Sequence, residues 1–244
     1  METDTYSLAA QAEDEHWWYR GRRAVLKSVL DRYVPTSCRP LNVLEIGCGN
    51  GGNLPLLASY GKVFAVELND AARERAARRG LAQIEKGWLP DGLPFESERF
   101  DVIAALDVIE HVENDRQAIV ALGNRLTSNG LLLMTIPAYG WLWSPLDEIS
   151  HHKRRYTSAQ LVSLLTDLGF RVCYSSYFNT LLFPFAVTKI ALGKLFDLSP
   201  CRALRTPPTP MNRLLQAVLI VESTLIPRVS FPYGLSILIC ASAK

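Results

Sequence analysis

The chain has 244 residues, 48% hydrophobic and 20% charged, an ordinary globular balance that excludes disordered and collagen-like chains. Twenty-six Lys and Arg against 24 Asp and Glu leave a net charge of +2. That is too balanced for a protein that lives on duplex nucleic acid, so no nucleic-acid partner is expected.

In chain order, helical spacing runs from about Leu8 to Tyr33, with Trp18, Arg22, Leu26, Val29, Leu30 and Tyr33 recurring at threes and fours. Pro35 and Pro40 break the chain, and Leu41–Ile46 reads as a buried strand. A glycine-rich turn leads to a short helix across Leu54–Tyr60 and a second strand, Lys62–Glu67. Asn69 or Asp70 caps an Ala/Arg-rich helix that ends at Gly80. Gln83–Lys86 is a weaker third strand and Phe100–Leu106 a fourth. A helix from near Asp115 to Leu126 precedes a fifth strand, Leu131–Ile136. Thr157 caps a helix to Leu168, Gly169 stops it, and Arg171–Tyr177 is a sixth strand. Leu235–Cys240 is expected as a last strand closing the sheet edge. Strands alternating with helices predict an α/β fold, a doubly wound and mostly parallel seven-stranded sheet whose ligands sit at the carboxyl ends of the strands.

The chain divides into an N-terminal helical lid (1–34), a core (41–178), an apolar insertion (179–230) and the last strand (231–244) within one domain. In the insertion, Leu181–Phe196 and Met211–Ile226 are apolar segments split by Thr206-Pro-Pro-Thr-Pro210. Each is too short for a membrane span, and Lys189, Lys194 or Glu222 interrupts it. From Arg171 onward eight Lys and Arg face only Asp197 and Glu222, so this end is basic and apolar together. It reads either as a helical cap or as a peripheral contact with anionic membrane. Five cysteines (Cys38, Cys48, Cys173, Cys201, Cys240) form no CxxC pair, which fits reduced thiols and a cytoplasmic location. The acidic, polar start does not read as a secretory signal.

Chemistry concentrates in Glu45-Ile-Gly47-Cys48-Gly49-Asn50-Gly51-Gly52, directly after the first strand. Glycines there let backbone approach a nucleotide without obstruction. Glu67, at the end of the second strand with Leu68 beside it, is placed to accept both hydroxyls of an adenosine ribose. Gly47, Gly49 and Gly52 also satisfy GxGxxG, which keeps a nicotinamide dinucleotide open.

Glu45 before the first glycine favours another ligand. With Glu45, Gly47, Gly49 and Gly51 as a first motif, the chain resembles the class I S-adenosylmethionine-dependent methyltransferases. Leu93-Pro-Phe95, Phe100-Asp-Val-Ile103, Asp107-Val-Ile-Glu-His111 and Asn129-Gly130 follow in the family's order. His16-Trp-Trp-Tyr-Arg-Gly-Arg-Arg23, His152-Lys-Arg-Arg-Tyr-Thr157 and Pro232-Tyr-Gly-Leu-Ser236 look like a bacterial subgroup that accompanies glycan and polyprenol-linked sugar assembly. The resemblance implies S-adenosylmethionine as cofactor, held by Glu45, Gly47, Cys48, Gly49, Gly51, Glu67, Leu68 and Asp107. One departure stands out. Many relatives carry an acid after a glycine at the end of the third strand, whereas Gly87 is followed here by Trp88, so adenine is expected against Trp88 or Leu89, with Asp91 as a polar candidate.

The Trp17-Trp18-Tyr19-Arg20 cluster reads either as packing of a helix on the sheet or as a cover over the cofactor. In the second reading Arg20 or Arg23 pairs with the methionyl carboxylate and Tyr19 lies near the acceptor. His152 and Asp147, after the fifth strand, are the candidates for removing a proton, His152 being the better because an unperturbed imidazole titrates near pH 6.5. Arg154, Arg155 and Tyr156 are candidates for binding an anionic acceptor, and His111 reads as a packed helix residue. No HExxH or paired Cys/His spacing suggests a metal. The expected function is methyl transfer from S-adenosylmethionine to an oxygen or nitrogen of a small-molecule or lipid-linked acceptor. A nicotinamide-dependent oxidoreductase and a non-catalytic cofactor-binding scaffold at a membrane are the alternatives.

Overall fold

A computed structural model describes residues 13–34, 40–188 and 206–243. The N-terminal helix α1 spans Trp17–Tyr33. Then follow β1 (Leu41–Ile46), α2 (Leu54–Ala58), β2 (Gly61–Val66), α3 (Asp70–Ala77), β3 (Gln83–Glu85) and β4 (Phe100–Leu106). A 3₁₀ turn, Ile109–His111, leads to α4 (Asp115–Gly123) and β5 (Leu126–Pro137). After a second 3₁₀ turn, Gly140–Leu142, come α5 (Pro145–Ile149), α6 (Ser158–Asp167), β6 (Phe170–Phe178), α7 (Thr209–Leu225) and β7 (Ser236–Ala243).

The seven strands form one sheet in the order β3-β2-β1-β4-β5-β7-β6. β1, β2, β3, β4 and β5 are parallel, and the chain reverses direction sideways at β1 and β4, so their carboxyl ends open a crevice. The expected seven-stranded, doubly wound sheet is therefore present, with one correction at its far side. β7 does not close the edge; it is inserted between β5 and β6, antiparallel to both, with Cys240 opposite Leu133 and Tyr174. Hydrophobicity explains the order. β7 is buried at seven of its eight positions and needs cover on both faces, whereas β6 exposes Arg171 and Cys173 and tolerates the edge.

Both faces of the sheet are covered. One carries Ile109, Ile119, Leu122, Leu161 and Leu165 against Phe64, Phe100 and Ile103. The other receives Val25, Leu26, Val29 and Leu30 of α1 against Val43, Val63 and Leu133. α1 is thus a core helix along most of its length. Trp18 stacks on Phe178 at a centroid distance of 5.7 Å and 8° between planes, which bears out its packing role.

The insertion reaches back to α1. Leu219 of α7 lies where a Cβ on Gly21 would come within 2.5 Å of it. Asn212 accepts from Trp17 N–H at 2.8 Å and donates to the Glu15 carbonyl at 2.8 Å, fixing the start of α1. Glu222, buried on the inner face of α7, accepts from the Thr180 N–H at 2.9 Å and anchors the helix to the end of β6. Of the expected segment Leu181–Phe196, residues 181–182 form a turn, 183–188 are helical, and 189–196 lie outside the described residues.

The close contact of α1 with α7 gives an expected reversal of sign. Gly21→Ala should destabilise the native chain by about 1–3 kcal/mol through overpacking. In a Leu219→Ala background it should stabilise by up to about 1 kcal/mol through helix propensity. Urea midpoints of the four proteins check this, and equal effects in both backgrounds would refute the packing.

Candidate functional site

The glycine turn sits between the carboxyl ends of β1, β2 and β4. Gly47, Gly49 and Gly51 have φ of 64°, 55° and 82°, a region that penalises any side chain. At Gly47 a Cβ would stand 2.9 Å from Val108 Cγ2, so space and conformation both demand glycine. Gly47 and Cys48 donate to the Val66 carbonyl at 2.8 and 3.1 Å, which ties the turn to β2. Cys48 is buried and its thiol is pushed up by desolvation, so it packs rather than reacts.

Glu67 follows β2 and faces this turn. Its Oε2 accepts from Gly49 N–H and its Oε1 from Asn69 N–H, both at 2.8 Å. A carboxylate has about four acceptor positions, so two remain for a diol. Leu68 next to it is 56% exposed, and Trp88, past β3, is 54% exposed with its ring over Gly92. Leu89 instead packs against the core, which leaves Trp88 and Leu68 as the apolar surfaces available to a base.

Carboxylates crowd the crevice. Glu45, Glu67 and Glu13 are buried, and Asp107 closes β4 with φ 59°. Burial pushes Glu45 up to about 7 although Asn53 donates to it at 2.8 Å, and its Oε2 has no hydrogen-bond partner among the described residues. Glu13 accepts from Asn50 Nδ2 at 3.0 Å and lies over Gly52.

The guanidinium that pairs with Asp107 is not the expected one. Arg23 donates to the Glu13 and Gly52 carbonyls at 2.8 and 3.3 Å, away from the carboxylates, and Arg20 is exposed. Arg22, one residue round α1, is buried and paired with Asp107, with Nε unpartnered among the described residues. The signal lay in the helical spacing, since Arg22 occupies a position of the buried face. Tyr19 is half-buried with its ring 5.8 Å from the Arg22 guanidinium, at the mouth of the crevice. Asp107 also accepts from Thr135 Oγ1 at 3.0 Å and does not cap the turn that follows it.

The loop after β5 corrects several expectations. Asp147 is 1% exposed and saturated. It accepts from Ser144 N–H and Oγ, from Arg155 Nε and Nη2 at 2.7 and 2.9 Å, and from His152 Nδ1 at 2.8 Å. Arg155 and His152 outweigh the cost of burial and hold its carboxyl below the usual range, so it orients neighbours and is no proton acceptor. Arg155 is spent on Asp147 and the Ala138 carbonyl. Arg154 bonds the Glu113 carbonyl at 2.7 Å and Asp115 at 3.2 Å. Tyr156 is buried and donates to Asp115 at 2.6 Å. Arg154, Arg155 and Tyr156 therefore staple the loop to α4 and α5 rather than standing free for an anionic acceptor.

His152 is half-buried and turned toward the end of β4, while His151 is exposed. Its ring lies 4.7 Å, at 77°, from that of His111, which sits on the 3₁₀ turn and not on a packed helix. Burial and the His152 ring lower His111 to about 4. Glu110 beside it is fully buried, and desolvation raises its carboxyl well above the usual range. Farther out, Tyr139 stacks on Tyr177 at 5.0 Å and contacts Trp141 and Phe183, with Tyr233 next to Phe183. This aromatic wall was missed, although Tyr139-Gly-Trp-Leu-Trp143 is an aromatic run visible in the sequence.

The internal assignment of the loop arginines has a measurable consequence. Arg155→Ala leaves a buried carboxylate uncompensated and should cost about 3–5 kcal/mol of stability. Arg154→Ala, at a half-exposed pair, should cost about 1 kcal/mol or less. Denaturant unfolding distinguishes them, and equal small losses would restore Arg155 as a free ligand-binding group.

Comparison with known proteins agrees with this geometry. A sequence model of the family described as "Methyltransferase domain" matches residues 17–175. A protein of Mycobacterium tuberculosis (strain CDC 1551 / Oshkosh), described as a probable S-adenosylmethionine-dependent methyltransferase, is 30% identical over 164 residues, 64% of this chain. The chain spans 56% of that relative's length. A ubiquinone biosynthesis O-methyltransferase of Bartonella tribocorum is 31% identical over 44% of this chain and 47% of its own. Among solved structures, an S-adenosylmethionine-dependent methyltransferase of Clostridium acetobutylicum superposes with a TM-score of 0.59 at 11% identity, covering 91% of each chain. The glycine turn, the acid after β2, the sheet order and the matched span together place the chain in the methyltransferase domain family, with the class I S-adenosylmethionine-dependent fold.

Proposed function

We propose that the chain binds S-adenosylmethionine and transfers its methyl group to a hydroxyl oxygen, or a nitrogen, of a small or lipid-linked acceptor. The observation that carries this reading is the left-handed glycine turn whose Gly49 N–H is held by Glu67. In this reading Glu67 takes the ribose hydroxyls, and Leu68 and Trp88 flank adenine. Glu45 meets the methionyl ammonium, and Arg22, rather than Arg23, meets the carboxylate. Membership of the family sets aside the nicotinamide alternative.

Methyl transfer is an in-line displacement at a carbon bonded to positive sulfur, so the protein's task is to place the acceptor about 3 Å from that carbon and manage its proton. The wall of Tyr139, Trp141, Phe183 and Tyr233 suits an acceptor with an aromatic or apolar body. His152, oriented through Nδ1 by Asp147, handles the acceptor's proton with Nε2. The name of the Bartonella relative specifies an oxygen acceptor and supports oxygen over nitrogen.

A lipid-linked acceptor is favoured by α7. Met211, Leu214, Val221 and Leu225 are 50%, 60%, 55% and 43% exposed, while its inner face buries Asn212, Leu219, Glu222 and Ser223. The outward apolar stripe, with Arg213 and Arg228 exposed nearby, suits contact with an anionic bilayer surface. No described helix is long and apolar enough to cross a membrane.

Three outcomes are expected. Titration calorimetry should show S-adenosylmethionine binding that weakens by at least about tenfold in Glu67→Ala, since each hydrogen bond to a charged group contributes about 1.5–3 kcal/mol; no heat with either the donor or its demethylated product would overturn the reading. Pairing with the ammonium should lower Glu45 from about 7, so binding near neutral pH releases a proton and the apparent enthalpy varies with buffer ionisation heat, a variation absent in Glu45→Gln. Flotation should carry the chain with anionic vesicles at low salt, and Leu214→Glu with Val221→Glu should abolish it; failure to float leaves only a soluble acceptor.

A further inference from the structure

We infer that Glu110, His111 and His152 form a binding site for a divalent transition-metal ion of intermediate softness, such as zinc or cobalt. Each offers one ligand atom, and these atoms lie within 4.8 Å of one another. Ligands bonded to zinc at about 2.0–2.2 Å stand roughly 3–3.5 Å apart, so modest side-chain rotation closes the set. Two imidazoles and one carboxylate are a donor set that suits zinc, cobalt or iron and disfavours magnesium or calcium, which prefer oxygen throughout.

Two independent features point to a ligand here. Glu110 is 0% exposed, and neither carboxylate oxygen bonds another residue among the described residues. A buried carboxylate without a partner is costly, and a cation is the counterpart that removes the cost. The second feature is the support behind His152. Its Nδ1 is 2.8 Å from Asp147 Oδ1, which leaves Nε2 as the nitrogen available to an ion, and Asp147 is itself fixed by Arg155 and Ser144. A histidine whose second nitrogen is held by a fixed carboxylate is the usual arrangement behind a metal ligand. The Lys153 N–H bond to the Glu110 carbonyl at 2.8 Å holds the two halves of the site together.

The site lies beside Asp107, at the end of β4 where the methyl donor is proposed to sit, and this part of the inference rests on that reading. Three protein ligands leave positions open for the acceptor hydroxyl. Bound to the ion, that hydroxyl loses its proton to solvent near neutral pH. The oxygen then forms its bond to the methyl carbon as the carbon–sulfur bond breaks, and the electron pair returns to sulfur as a neutral thioether. With Nε2 bound to the ion, His152 no longer takes the proton itself; in the metal-loaded protein the ion's activation of the hydroxyl replaces the direct transfer to His152.

The test uses the full chain, stripped with chelator and titrated with Co2+ under visible absorption, and with Zn2+ against a competing chromophoric chelator. One equivalent should bind, with the intense visible bands of four- or five-coordinate cobalt. His152→Ala and the near-isosteric Glu110→Gln should each weaken binding by at least about 100-fold, and Asp147→Asn by about 10–100-fold. Lys153→Ala, at an exposed position, should bind as the native chain does. Circular dichroism establishes that each variant folds; if only Glu110→Gln folds, its titration alone decides. Absence of saturable binding, or binding unchanged in a folded Glu110→Gln or His152→Ala, overturns the site. S-adenosylmethionine binding measured with chelator present separates the two ideas: retained cofactor binding without metal binding removes this inference alone, and metal binding without cofactor binding removes the methyl-transfer reading alone.

Discussion

The burial of several carboxylates at the carboxyl ends of the parallel strands is the constraint on which the rest of the structure depends. Glu13, Glu45, Glu67 and Glu110 are all buried, and Asp107 stands among them. In a desolvated crevice such groups repel one another and lose their hydration, so the fold must supply either donors or positive charge. The N–H groups of Gly49 in the glycine turn and of Asn69 satisfy Glu67, and Asn53 serves one oxygen of Glu45. Arg22 pairs with Asp107, to which Thr135 also donates. The acceptor capacity left over is what a ligand with a diol, an ammonium group or a metal charge would fill.

Arg22 explains why two distant parts of the chain cooperate. It is carried by α1, whose Val25, Leu26, Val29 and Leu30 are fixed in the core, so its guanidinium is delivered from a rigid element. α7 then locks the first turn of α1 through Asn212 and through the contact of Leu219 with Gly21. The insertion thereby supports the crevice even though its contacts with α1 bridge about 195 positions or more in sequence. Its outward apolar stripe is a separate feature of the same helix.

Opposite Arg22, the loop between β5 and α6 is organised around Asp147. A residue that looks in sequence like a spare acid is a hub with five hydrogen bonds from Ser144, His152 and Arg155. The basic run His152-Lys-Arg-Arg is consumed by its neighbours: Arg155 on Asp147, Arg154 on Asp115, Lys153 on Glu113. Charges this close to an acid-rich helix start are neutralised locally before they can form a platform. What the loop presents to the crevice is one imidazole and a set of aromatic rings.

The sequence alone determined the elements and the glycine turn, because strand hydrophobicity, caps such as Thr157 and the conformational demand on Gly47 and Gly51 are local properties. It also held the family motif and the acid Glu67. Tertiary structure alone decided the place of β7, the choice of Arg22 over Arg23, and the meeting of Glu110 and His111 with His152. Each of these depends on which face of an element is turned inward once helices and strands pack, and on partners from about 40 to more than 100 residues away. A linear pattern fixes which residues are present, whereas burial among distant neighbours fixes which of them remain free to act.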